Sequence, residues 1–161
     1  MKSLTVFAMA VAVLFAVPAL AQDAGSSTTN QEILIQKVKA DKKLLVAANM
    51  NLSDADGKKF WPLYDAYQKD LEQLNQRLGG VIKAYADAHN AGKGTIQNDT
   101  AKKLLGEAFA VEDQELKLKH AYADKLGKVL PATAVARAIQ IENKIRAVIK
   151  AQLAMEIPLV Y

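Results

Sequence analysis

The stretch NLSDADGKKFWPLYDAYQKDLEQL, residues 51–74, contains two opposing signals for helix formation. Ser53 followed three positions later by Asp56 is typical of a helix start, because the serine oxygen can accept a free backbone N–H of the first turn. Pro62 then falls inside the helical pattern, although proline lacks a backbone donor. Since the apolar periodicity continues beyond Pro62, the stretch predicts one long helix that bends at the proline.

Apolar residues of this long helix recur at alternating steps of four and three, which is the heptad spacing of a helix that packs along another helix. The predicted seam is Phe60, Tyr64, Tyr67, Leu71, Leu74, Leu78, Val81 and Tyr85. Gly79 and Gly80 lie off this seam, and each costs about 1 kcal/mol relative to alanine in a helix. The two glycines therefore indicate a weak point or a bend.

A shorter helix is predicted before the stretch. Thr29 and Glu32 form a capping box, and the helix should run to about Ala48, with Leu44 and Leu45 among its apolar residues. Residues 49–51 then form a short turn.

Two more long helices are predicted after the stretch. The glycine- and asparagine-rich loop at 89–99 leads into a third helix, which ends at Leu130-Pro131. A fourth helix should run from about Ala132 to Glu156. The third helix has Glu115 on its seam and a wide apolar face, which predicts contact with more than one neighbour. That face consists of Leu104, Ala108, Val111, Leu118, Tyr122, Leu126 and Val129, with Leu105, Phe109 and Leu116 beside them. The apolar residues of the fourth are Val135, Ala138, Ile141, Ile145, Val148, Ile149 and Leu153.

These patterns predict an all-α fold of antiparallel helical hairpins, with one shorter helix and three long ones in a single domain over residues 29–161. Residues 1–21 have a lysine, a short apolar run and a small-residue cleavage site, so they are predicted to be a signal peptide cut after Ala21. Residues 22–28 are small and polar, which predicts a disordered lead-in. We therefore expect an exported, periplasmic protein with no integral membrane span.

The net charge of +4 suits weak attraction to anionic partners. The lysines and arginines are interspersed with acids, so a nucleic-acid partner is not expected. The chain has no cysteine, and we find no nucleophile motif, phosphate-binding loop or HExxH sequence. The sequence thus predicts neither catalysis nor a cofactor.

The turns Leu52-Ser53 and Leu130-Pro131 each precede a long helix, and their sequences are LSDAD and LPATA. Here the chain resembles the LTxxQ family of periplasmic helical proteins, which includes Spy- and CpxP-like chaperone and stress proteins and metal-resistance sensors. The first copy keeps the leucine and a capping hydroxyl but has Asp56 in place of glutamine, and the second keeps only the leucine. The phrases FWPLYDAY and QIENKI are also similar to exported helical proteins of proteobacteria. The resemblance covers about residues 30–158 and implies fold and compartment more firmly than function.

Two groups of residues are candidate binding surfaces. The first is an apolar and basic surface for a partner or client, made of Phe60, Trp61, Pro62, Tyr64, Lys37 and Lys42. Its alternative is structural: Phe60 and Trp61 plug the end of the bundle, Pro62 bends the helix, and the lysines form a solvated face. Because the first helix also contains Lys39 and Lys43, we expect it to be the most basic surface.

The second group is a candidate seam on the fourth helix, formed by Arg137, Gln140, Asn143 and Lys144. Nearby alanines would let a second helix approach, so the group predicts a dimer seam or a polar interlock between hairpins. The alternative is a solvated face on which Glu142 and Arg146 form an ordinary i,i+4 ion pair.

Three functions remain open at this point. The first is chaperone-like or stress-related binding of unfolded or envelope proteins, in which apolar side chains provide affinity and lysines steer encounter. The second is a structural or regulatory interaction protein of the envelope that forms homodimers. The third is a metal-responsive sensor that uses His89 or His120, which is disfavoured because a zinc site needs more ligands than these.

Overall fold

The structure is a computed structural model that describes residues 40–160. Every regular element between these residues is a helix, so the all-α class is confirmed. The helices are α1, which comprises the described helical residues 40–50, α2 (Asp54–Ala91), α3 (Asn98–Gly127) and α4 (Ala132–Glu156). The predicted signal peptide (1–21), the lead-in (22–28) and the start of the first helix at Thr29 lie outside the described residues.

Side-chain contacts show that consecutive helices run antiparallel. Lys42 and Lys43 of α1 bond to Gln68 and Asp65 of α2, respectively, so the higher residue number in α1 is paired with the lower one in α2. Arg77 of α2 bonds to Glu107 and Gln114 of α3, while the ring of Tyr67, ten residues earlier in α2, stacks on Tyr122 farther along α3. Glu115 and Glu112 of α3 bond in the same reversed order to Arg146 and Lys150 of α4. Two antiparallel hairpins therefore form one bundle.

The start of α2 has the predicted cap. The Ser53 hydroxyl accepts a hydrogen bond from the Asp56 backbone N–H at 3.1 Å and donates to the Asp56 carboxylate at 2.9 Å. The helix then continues through Pro62 to Ala91, as the periodicity predicted. At its other end Gly92 is required, because a Cβ there would lie 1.9 Å from the Thr95 carbonyl oxygen.

The predicted seam of α2 is buried in its first half and only partly covered in its second, where Leu78 packs against Ile82. Phe60, Tyr64, Tyr67 and Leu71 are all buried, whereas Leu74, Leu78, Val81 and Tyr85 are only partly buried. The buried residues there are Gly79 and Ile82, and the helix is unbroken at the glycines. Ile82 lies in nearly the same direction around α2 as Tyr64, whereas a strict heptad drifts away from that direction because a straight helix has 3.6 residues per turn.

The apolar residues form two clusters of unequal size. The large cluster unites all four helices and is built from Val46, Met50, Phe60, Tyr64, Tyr67, Leu71, Tyr122, Leu126, Leu130 and Ala138. The small cluster centres on Ile82, with Leu78, Ala86, Leu153 and Ile157 packed against it. No helix within residues 40–160 has the length and apolar character needed to cross a membrane.

Several apolar residues that the sequence placed on packed faces are exposed. They are Leu44 and Leu45 of α1, Leu105, Phe109 and Leu116 of α3, Val148 of α4, and Val129 in the turn after α3. In α1 the buried residues are instead Val46 and Met50, and the helix extends to Met50 rather than ending near Ala48. Apolar periodicity locates a helix, but it does not show how much of a wide apolar face its neighbours cover.

Candidate functional site: the corner cleft

An open cleft of ≈ 620 Å³ lies at the corner where α1 turns into α2. We call it the corner cleft. Its residues are Ala47, Met50, Leu52, Ser53, Asp54, Gly57, Lys58, Trp61 and Pro62. The turn is tight because Asn51 has a φ of 49°, a left-handed conformation that asparagine tolerates better than most residues. This turn brings the end of α1 beside the first turns of α2.

Trp61 is the aromatic residue of the cleft wall. Its indole is partly buried and lies edge-on to Phe60 and Tyr64, with ring centroids 4.9 and 5.5 Å away. The Lys43 ammonium lies 5.2 Å from the centre of the ring and also bonds to the Asp65 carboxylate at 2.7 Å. The indole is therefore held in place by its neighbours while part of it faces the cleft.

Phe60 and Tyr64 belong to the core and not to a binding surface. Phe60 has 0% of its surface exposed and Tyr64 has 2%. Of the described residues predicted for the client surface, only Trp61 and Pro62 line the cleft. For Phe60 and Tyr64 the prediction of an accessible surface is wrong, because they lie on the side of α2 that packs into the large cluster.

Pro62 changes the backbone chemistry of the cleft. Proline has no N–H, so the Lys58 carbonyl receives no helical hydrogen bond from position 62. Both Lys58 and Pro62 line the cleft. The combination of an apolar wall and a few charged groups suits the binding of a short apolar segment.

Lys42 does not form the exposed basic surface predicted for α1. Its ammonium donates to Gln68 at 2.8 Å and to Glu142 at 3.0 Å, and its side chain is 19% exposed. Burial lowers the pKa of Lys42, while the Glu142 carboxylate opposes that shift. Lys42 thus ties α1 to α2 and α4, and Lys37 lies outside the described residues.

Arg146 and Glu115 form the most buried ion pair described. The Arg146 Nε donates to Glu115 at 3.1 Å, a second guanidinium nitrogen also donates to Glu115, and a third contact reaches Asn75 at 2.8 Å. Burial alone would raise the pKa of Glu115, but the hydrogen bonds and charge of Arg146 lower it. We call Lys42, Gln68, Asn75, Glu115, Glu142 and Arg146 the polar layer.

The polar layer corrects the prediction for the fourth helix. Glu142 and Arg146 are 2% and 5% exposed and each bonds to other helices, so they are not an ordinary ion pair on a solvated face. The interlock between hairpins forms from these two residues. The predicted seam residues Arg137, Gln140, Asn143 and Lys144 are all exposed and take no part in it. The position of Glu115 on the predicted seam of α3 was the sequence signal that could have revealed the layer.

Two tyrosines adjoin the polar layer. Tyr67 and Tyr122 stack with ring centroids 4.3 Å apart, and their buried hydroxyls have no hydrogen-bond partner among the described residues. Burial raises the pKa of both phenols, and the nearby Glu142 carboxylate raises it further. These hydroxyls therefore stay neutral across the physiological pH range.

The two histidines are far from forming a metal centre. His89 stacks on Tyr85 at 5.9 Å near the end of α2, and His120 is exposed on α3. Within residues 40–160, no three histidine or acidic side chains lie close enough together to hold a metal ion.

Comparison of the chain with family models, with curated proteins and with solved structures finds no match. The geometry of the cleft and of the exposed surfaces is therefore the basis for a functional proposal.

Proposed function

We propose that the chain is an exported, periplasmic helical protein without catalytic activity, which binds apolar segments of unfolded or envelope proteins in a chaperone-like manner. The observation that carries this proposal is the corner cleft, where Trp61 and Pro62 meet a polar rim. Its volume is within the range of about 300–1,000 Å³ that is usual for ligand pockets. The resemblance of the LSDAD and LPATA turns to the LTxxQ family supports the proposed fold and compartment more firmly than the function.

Binding would depend on the rigid position of the indole. Because Phe60, Tyr64 and Lys43 hold Trp61 in place, a client segment would pack on an ordered aromatic face without a large loss of side-chain entropy. Such a contact recognises apolar character rather than one sequence, as a chaperone-like protein requires.

The test is to fill the cleft without disturbing the core. A Cβ on Gly57 would lie 3.7 Å from the Trp61 Nε1, which is ordinary contact, so Gly57→Leu should fold and place its side chain in the cleft. Gly80→Leu is the matched control, because Gly80 is also helical and exposed and has open space around it. Aggregation of a denatured client enzyme is followed by light scattering with the chain from Gln22 onward.

We expect the wild-type chain and Gly80→Leu to suppress aggregation and Gly57→Leu to lose most of that activity. Since Trp61 is the only tryptophan, its fluorescence should also change on client binding in the first two proteins alone. Failure of the wild-type chain to suppress aggregation, or equal suppression by folded Gly57→Leu, would contradict the proposal.

The second candidate is a structural or regulatory interaction protein of the envelope that forms homodimers. The exposed apolar residues of α3 favour an interaction role, since side chains such as Phe109 are 57% exposed. Sedimentation velocity across a concentration series would detect a dimer.

A further inference from the structure

The first described residues of α1 lie in a groove between α2 and α4. The Lys42 ammonium donates to Gln68 of α2 at 2.8 Å and to Glu142 of α4 at 3.0 Å, so the three helices meet at this point. Residue 40 is already helical. Because α1 runs antiparallel to both neighbours, the chain that precedes residue 40 is directed along the groove, away from the corner cleft.

The groove continues beyond Lys42 because α2 and α4 stay in contact. Arg146 of α4 donates to Asn75 of α2 at 2.8 Å. Farther along α2, Ile82 packs with Leu153 of α4. The two helices therefore form a continuous surface along the path that precedes residue 40.

Both walls of this α2–α4 groove suit a helix. On α2, Glu72 is one turn and Gly79 three turns beyond Gln68, so they share its side of the helix. Gly79 is buried and has no side chain, which lets the backbone of another helix approach closely. On α4, Ile149 is two turns beyond Glu142 and is partly buried. The groove therefore offers an acid, an aliphatic side chain and a small residue in that order.

The segment 29–39 of this chain, TNQEILIQKVK, has a matching pattern. In a helix continued from α1, Val38 and Ile35 are four and seven residues before Lys42, so they share its side of the helix. Ile35 is also three turns before Val46, which is buried in the large cluster. The apolar residues of the segment thus fall on the side that α1 already packs inward.

The register of α1 on α2 also places opposite charges together. Lys42 is bonded to Gln68, so Lys39, three residues earlier, comes level with Glu72, four residues later in the antiparallel neighbour. Eleven helical residues span about 16 Å, which equals the length of α2 from Gln68 to Gly79. The segment therefore has the charge and the length that the groove requires.

We propose that residues 29–39 continue α1 as one helix and fill the α2–α4 groove. Ile35 packs toward Ile149, and the Lys39 ammonium pairs with the Glu72 carboxylate. The groove begins at Lys42 and extends away from the corner cleft, so the inference goes beyond the proposed function and does not rest on it.

A charge-reversal cycle tests the ion pair in the chain from Gln22 onward. Lys39→Glu and Glu72→Lys should each lower the midpoint of urea unfolding by about 0.3 M, because each places like charges together. The double variant should recover most of that loss. Lys37→Glu is the matched control, since a step of two residues turns about 200° around a helix and places Lys37 on the outer side. This control should leave the midpoint unchanged.

A pair of serine substitutions tests the apolar contact. Ile35→Ser should lower the midpoint of urea unfolding by about 1 M, because it removes a buried aliphatic side chain. Ile33→Ser makes the same chemical change two residues earlier, on the outer side of the helix, and should change the midpoint little.

A cross-link tests where the segment lies. The chain has no cysteine, so a single pair can be introduced. Gln36 and Gln76 are one turn beyond the proposed pair, three residues before Lys39 and four after Glu72. Gln36→Cys with Gln76→Cys should therefore be joined within one chain by a short bismaleimide. Ile33→Cys with Gln76→Cys is the control and should be joined at least fivefold less.

Three results would each overturn the inference. The first is an equal loss of stability in Ile35→Ser and Ile33→Ser. The second is a double charge reversal that is no more stable than the single variants. The third is a cross-link between Gln36→Cys and Gln76→Cys that joins two chains rather than one, because a second copy would then fill the groove.

Discussion

The two ends of the bundle differ in how much apolar surface they bury. At the corner end, the large cluster joins all four helices through aromatic and aliphatic side chains such as Phe60 and Leu126, each 0% exposed. At the other end, the small cluster has Ile82 as its one buried member within residues 40–160, at 7% exposure. Asn75, Glu115 and Arg146 lie between the two along the helices.

This difference shows that helix length is not a measure of local stability. α2 spans both clusters as one 38-residue helix, yet the free energy of burial is concentrated in its first half. Regions with few buried apolar contacts open at lower free energy than the rest of a protein. We therefore expect the end around Ile82 to open first and the corner end to hold the fold together.

The largest effect should come from breaking the polar layer between the clusters. Arg146→Ala leaves the buried Glu115 carboxylate without its partner and should lower the free energy of unfolding by about 3–5 kcal/mol. Denaturant titration followed by circular dichroism measures the change. Arg137→Ala, at an exposed arginine of the same helix, should stay within about 0.5 kcal/mol of the wild type. Similar losses in both variants would contradict the importance of the buried pair.

The next effect compares the clusters directly. Truncating a buried leucine or isoleucine to alanine costs about 2–5 kcal/mol, and the cost depends on how closely the site is packed. Within that range Leu126→Ala should cost more than Ile82→Ala, because Ile82 has fewer buried neighbours. Denaturation midpoints measure both. An equal loss in the free energy of unfolding at the two sites would show that the two ends of the bundle do not differ in how closely they are packed.

The smallest effect is the pH dependence of the polar layer. The pKa of Glu115 is lowered from its ordinary value of 4.5, so its contribution to stability is complete above that pH and is lost as the pH falls through the lower, folded-state pKa. We expect the stability of Glu115→Gln to depend less steeply on pH below about 4.5 than that of the wild type.

Denaturation midpoints between pH 5 and pH 2 would show this change in slope. Glu107→Gln is the control, because the pKa of Glu107 is also lowered, by its hydrogen bond from Arg77, but this carboxylate is exposed and screened by solvent. If Glu115→Gln kept the wild-type pH dependence, the ion pair would not be the source of the acid sensitivity.

The sequence was enough to predict where the long helices begin and end. Ser53 with Asp56, the glycines near residue 92 and Pro131 are local signals, and local signals do not depend on the rest of the fold. The persistence of α2 through Pro62 was also predictable, because apolar periodicity continued on both sides of the proline.

The composition of the core was not predictable in the same way. Val148 fits the apolar pattern of α4 but is 63% exposed, while the charged Glu142 and Arg146 are buried. Their partners Lys42 and Glu115 lie in distant parts of the chain, and periodicity contains no information about pairing across such separations. The sequence did not predict the corner cleft either, because the shape of the cleft depends on how α1 meets α2 at Asn51.

The Lys42–Glu142 bond also bears on the order of folding, because it joins residues 100 positions apart. Contacts between neighbouring helices close short loops, whereas this contact requires nearly the whole described chain to be in place. We expect the α2–α3 hairpin to form early and α1 to dock late. Until α1 docks, Glu142 lacks the Lys42 ammonium that neutralises it. We therefore expect α4 to complete its packing only after α1 has docked.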